Sequence, residues 1–97
     1  MSQIALVVSL TAAAGRRDEL IEGLKGHAQR SRDNEAGCIR FDVLIPRDGA
    51  ADVMLYELYE SQAAFDAHTA SEHFKMWRGM SEGMVAERSV AITEVQG

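Results

Sequence analysis

His68 and His73 stand five residues apart, and Trp77 follows four residues after the second. Imidazole gains and loses its proton near neutral pH, so a converging pair could serve one substrate as base and hydrogen-bond partner. The spacing opposes this. At about 100° per residue, five steps along one continuous helix turn about 500°, and the two rings would point about 140° apart. They converge only if the helix breaks between them. Thr69-Ala70-Ser71-Glu72 supplies a break. It reads as a capping box in which Thr69 caps a new helix and Glu72 reaches back, with Ser71 as a competing cap. A short helix over residues 61–68 then carries Ala64, Phe65 and His68 on one side. The helix that follows carries His73, Trp77, Met80 and Met84 on one stripe, turned inward.

The two rings should differ. His73 lies in the first turn of its helix, where the positive end of the dipole and burial both disfavour imidazolium, so it is expected to be neutral. His68, near the end of the short helix, meets the opposite end of a dipole and is expected to protonate more easily. Core packing accounts for the same residues as readily as catalysis does. A metal is not expected: H-x4-H is not the i, i+4 ligand pair of a helix, and the sequence offers no evident third ligand. Tyr56 and Tyr59 should point to opposite faces of one strand, and Glu57 is expected to pair with Arg40 across a hairpin. No Gly-rich phosphate loop or dinucleotide fingerprint occurs, so no nucleotide cofactor is expected.

The elements that must hold these residues follow from periodicity. Residues 3–10, "QIALVVSL", are apolar on both alternating sets, as in a strand covered on both faces. Leu20, Ile21, Leu24 and Ala28 recur at helical spacing, with His27 at the edge of the stripe. Gly37 is expected to stop that helix ahead of a strand over residues 38–45. "PRDGAAD" is a hairpin connection, and strands follow at 53–60 and 87–95. The order βαββαβ predicts an α+β ferredoxin-like plait: a four-stranded antiparallel sheet with both helices on one face and the first and third strands central. The sheet's other face is then apolar and unpaired, which predicts a homodimer packed sheet to sheet.

Composition narrows the function. The 97 residues suit a single domain, 1–97, and 46% apolar content is that of a globular chain. A net charge of −5 without a basic stripe argues against nucleic acid and against an anionic membrane surface. The single cysteine, Cys38, has no internal disulfide partner, and the apolar N-terminus lacks the basic residues of a signal peptide; both fit a cytoplasmic protein.

"EAGCIRFDV" and "YELYESQAAFDAHTASEHFKMW" resemble the antibiotic biosynthesis monooxygenase family, most closely its small quinol monooxygenases and autoinducer-2 phosphate-processing members. The resemblance spans nearly the whole chain. It implies a dimeric α+β barrel with a pocket between sheet and helices, which oxygenates phenolic or quinol substrates with molecular oxygen and without metal, flavin or haem. His68 and His73 fall on the family's helix histidine motif. The first strand, "IALVVSL", lacks the asparagine that marks the haem-degrading branch. The resulting expectation is a cofactor-independent monooxygenase. His68 and His73 would act as base and partner, and Tyr56 as donor. Phe41, Phe65, Trp77, Met80 and Met84 would form the pocket wall. The same parts could enolise a small phosphorylated hydroxyketone without oxygen, or bind a ligand without catalysis.

Overall fold

The structure, a computed structural model, describes residues 2–97. Its elements are β1 (Ile4–Ala12), α1 (Arg17–Asn34), β2 (Cys38–Leu44), β3 (Val53–Tyr59), α2 (Gln62–Ala70), α3 (Glu72–Ser81) and β4 (Val85–Glu94). The strands form one sheet in the order β2-β3-β1-β4, with every neighbouring pair antiparallel. This is the ferredoxin-like plait with its second helix split in two, and the apolar β1 and β3 are central, as expected.

Strand parity decides what meets the helices. Ile4, Leu6, Val8 and Leu10 of β1 lie opposite Tyr59, Glu57, Leu55 and Val53 of β3, and all eight are buried. Phe41 of β2, opposite Glu57, joins the same face. Over this layer α1 lays Leu20, Leu24 and Ala28, each at most 1% exposed. The reverse face carries Val7, Met54, Tyr56, Leu58 and Leu44, with Val7 and Leu44 exposed at 41% and 45%.

Two glycines permit close approach. Gly37 does not end α1 through a left-handed turn; the helix stops at Asn34, and Glu35 as C-cap returns its N–H to Ser31 O. A Cβ at Gly37 would lie 2.4 Å from Ala64 Cβ, so this glycine lets α2 press onto the start of β2. A Cβ at Gly23 of α1 would lie 2.5 Å from Cζ3 of Trp77, so that glycine seats the indole. Gly23→Ala is therefore expected to destabilise the chain by about 1–3 kcal/mol through overpacking. Gly79→Ala, a helical site with open space around it, should stabilise by about 0.5–1 kcal/mol. Denaturant melts of both variants check the pair, and equal effects would contradict the packing argument.

Candidate functional site

The helix does break between the two histidines, but Ser71 makes the break. Ser71 Oγ accepts from Phe74 N–H at 3.3 Å and donates to His68 O at 2.6 Å, while its own N–H donates to His68 O at 3.1 Å. One residue thus closes α2 and caps α3. Thr69, the expected cap, donates its hydroxyl back to Asp66 O at 3.1 Å and stays within α2. The extended backbone at Ser71 turns α3 so that His68, in the last turn of α2, and His73, in the first turn of α3, come together with ring centroids 6.0 Å apart.

What joins them is Glu35, the C-cap of α1. Its Oε2 lies 2.8 Å from His68 Nδ1 and within hydrogen-bonding reach of His73 Nε2. A carboxylate only accepts, so each facing nitrogen carries a proton. A neutral His68 then has its lone pair on Nε2. That atom lies 3.9 Å from Glu57 Oε1, too far for a direct hydrogen bond. Glu57 in turn accepts from the Tyr59 hydroxyl at 2.6 Å. The third histidine, His27 of α1, lies 5.5 Å from His68 and stacks on Trp77 at 5.7 Å and 17°.

Burial sets the protonation of this group. Desolvation lowers His68, against the Glu35 hydrogen bond and charge that favour imidazolium. A helix end was expected to ease protonation of His68; instead its ring, 2% exposed, is disfavoured as imidazolium by burial. His27, without a carboxylate partner, is pushed down to about 3, chiefly by burial and then by the neighbouring histidines. Burial raises Glu57 to about 7; the Tyr59 hydrogen bond opposes this and the Glu35 charge adds to it. Burial and the Glu57 charge hold the Tyr59 hydroxyl far above its usual range. Glu57 is thus a carboxyl that exchanges its proton near neutrality, and His68 is a neutral imidazole facing it.

Both line a cavity of about 210 Å³ between the sheet and the helices. The walls include Phe41, Phe65 and Trp77, as expected, together with Phe74, and Arg78 and Arg88 also border the cavity. Several expected residues lie elsewhere. His73 is held by Glu35 but does not line the cavity, and its link to His68 runs through that carboxylate. Tyr56 is on the reverse face of the sheet, because it shares parity with Met54 and Leu58; the tyrosine on the helix-covered face is Tyr59, which bonds Glu57 but does not itself border the cavity. Met80 is 52% exposed: the buried stripe of α3 runs through Trp77 and Ser81 at i, i+4, and Met80 lies beside it. Met84 is buried in the core but follows the end of α3 and does not border the cavity. Arg40 pairs with Asp42 at 2.8 Å, and not with Glu57, which faces the helices.

Glu35, Glu57, Tyr59 and His27 were not among the expected catalytic residues. A signal existed for Glu57 alone, a charged group inside an otherwise apolar strand. Glu35 also supplies the carboxylate that a metal site would need, since Glu35, His68 and His73 each offer a ligand atom and all three atoms lie within 4.8 Å of one another.

A plait whose helix-covered face holds a largely apolar cavity, with an imidazole and a carboxyl facing each other in it, defines a small-molecule pocket. The description of the antibiotic biosynthesis monooxygenase family matches residues 3–79, and the chain belongs to that family. Among solved structures, a Shewanella oneidensis protein is 28% identical with a TM-score of 0.88, covering 97% of this chain and 91% of that one. A conserved protein of unknown function from Bacteroides thetaiotaomicron is 26% identical with a TM-score of 0.86, covering 97% and 98%. A candidate antibiotic biosynthesis monooxygenase from Nitrosomonas europaea is similar in fold, with 24% identity, a TM-score of 0.87 and coverage of 96% and 89%. No functionally curated protein matches the chain.

Proposed function

We propose that the chain is a cofactor-independent monooxygenase acting on a small phenolic or quinol substrate. The observation that carries this reading is the gap of 3.9 Å between His68 Nε2 and Glu57 Oε1 inside an apolar cavity. The gap is too long for a direct bond and suited to a substrate hydroxyl that touches both groups. His68 Nε2 takes the phenolic proton, and Glu35 holds the ring in the tautomer that leaves Nε2 free. The phenolate passes one electron to dioxygen, and the substrate radical and superoxide recombine at a ring carbon bearing hydrogen. Loss of that carbon's proton and cleavage of the O–O bond release water and leave a quinone. One phenol and one dioxygen give one quinone and one water, so no external reductant enters. Glu57, exchanging near neutrality, protonates the departing oxygen. The aromatic walls keep water from the radical pair.

A second reading draws on Arg78 and Arg88, two exposed cations bordering the same cavity. They suit a phosphorylated hydroxyketone, enolised by the same base without oxygen. Assays on a quinol panel and on phosphorylated hydroxyketones, with and without air, separate the readings. Stoichiometric oxygen uptake with a quinol supports the first. Equal turnover without oxygen replaces it with the second, and binding without turnover refutes both.

The reverse face of the sheet, with Val7 and Leu44 exposed beside Tyr56 and Leu58, is proposed as the seat of a second copy of the chain. Sedimentation at micromolar concentration is expected to give a dimer, and a monomer alone would overturn the assignment.

A further inference from the structure

Glu35 is bound on one side only. Its Oε2 takes both histidines, while Oε1 is buried without a hydrogen-bond partner among the described residues. Nearby, His27 Nδ1 is likewise buried and unpartnered, on a ring 2% exposed whose centroid lies 5.5 Å from His68 and 5.9 Å from His73. Buried polar atoms are normally paired, so the unpartnered oxygen on the carboxylate that bridges both rings indicates a group that completes the cluster. The cluster itself has the composition of a metal site. Two imidazole nitrogens and one carboxylate oxygen lie within 4.8 Å of one another. They come from the C-cap of α1, the last turn of α2 and the first turn of α3. In a tetrahedral site with bonds of about 2.0–2.1 Å, donor atoms stand about 3.3 Å apart. Glu35 Oε2 now sits closer than that to both rings, and a modest rotation of the carboxylate opens the triangle and brings Oε1 into use.

We propose that Glu35, His68 and His73 form a binding site for a divalent first-row transition-metal ion such as zinc, and that the bound ion switches the base off. The consequence for catalysis rests on the function proposed above; the site does not. The metal would take His68 Nδ1, His73 Nε2 and a Glu35 oxygen, two imidazoles and a carboxylate being a set these ions accept. A neutral imidazole metallated at Nδ1 keeps its proton on Nε2. His68 would then present an N–H to the cavity where it otherwise presents a lone pair, and it could no longer take the substrate proton. The carboxylate would lose its hold on both ring protons in the same step. Metal and tautomer are therefore mutually exclusive states of one cluster.

The test is equilibrium dialysis of the full-length chain, stripped with chelator, against zinc and against cobalt. Cobalt adds the visible absorption of a low-coordinate site. One ion per chain at micromolar metal is expected, with the cobalt band present. His73→Ala and Glu35→Gln should each weaken binding by at least about tenfold. Circular dichroism identifies any variant that has not folded, and His73→Gln serves if His73→Ala fails. Absence of stoichiometric metal, or binding that neither variant weakens, overturns the proposal. Zinc should also abolish turnover and chelator should restore it. Metal binding in a chain that turns over no substrate keeps the site and removes the proposed reaction. Turnover unaffected by one bound zinc per chain overturns the switch.

Discussion

Replacing His68 with alanine is expected to lower turnover by about 10²–10⁴-fold, the usual worth of a positioned general base. That is roughly 3–5 kcal/mol of barrier. His68 alone among the coupled residues meets three conditions. It lines the cavity, its Nδ1 is held by Glu35 at 2.8 Å, and its free Nε2 faces Glu57. His73→Ala should cost less, about 10–100-fold by analogy with groups that only orient a ligand, because His73 acts through the shared carboxylate. The ratio between the two variants separates a base from its support. Steady-state rates on a turned-over quinol, with melts alongside, give the measurement. If both variants kept full activity and melted early, the rings would be packing residues, and Glu57 would be left as the group that takes the proton.

The pair of histidines was legible in the sequence because a helix break has local chemistry. A cap within residues 69–72 was required, and Ser71 provides it two positions ahead of His73. The partner that makes the pair work was not legible. Glu35 lies 33 and 38 positions from the histidines it bridges, and it reads locally as one more charge at a helix end. The strands were found within a residue or two of their observed ends, since Val, Ile and Leu runs bounded by turn residues leave little choice. Which of their faces the helices cover was another matter. Both parities of β1 and β3 are largely apolar, so nothing local distinguished Tyr56 from Tyr59. Only the packing of the helices settles which tyrosine is covered: Tyr59 meets Phe65 and His68 of α2, with ring centroids 5.4 and 5.1 Å away. Met84 shows the same limit: a stripe drawn at helical spacing presumes the helix continues, and α3 ends at Ser81, whereas Met80, inside α3, lies beside the buried line of Trp77 and Ser81.

Acid should destabilise the fold by a route that two buried groups contest. His27 is about 3 when folded against 6.5 in the exposed chain. Between those values the unfolded state binds a proton that the folded state refuses, so stability falls as pH falls. The limit is about 1.4 kcal/mol per pH unit; solvent reaching the adjoining cavity screens this to about 1. His68, also lowered, adds in the same direction. Glu57 opposes them. It is about 7 when folded against 4.5 when exposed, so between those values the folded state holds a proton that the unfolded chain releases, and stability rises as pH falls. From about 6.5 to 4.5 the Glu57 and His27 contributions largely offset each other, leaving a shallow loss from His68. Below about 4.5 the carboxyl is protonated in both states, its compensation is complete, and the histidines alone steepen the decline. Denaturant melts at stepped pH, with chelator present, are expected to show that break in slope for the unmodified chain. Glu57→Gln should remove it, so that the steep loss begins near 6.5, where His27 first titrates in the unfolded chain. His27→Leu should flatten the acid limb instead. A steep limb that survives His27→Leu would mean that His27 is not the group whose refusal of a proton makes the fold acid-labile.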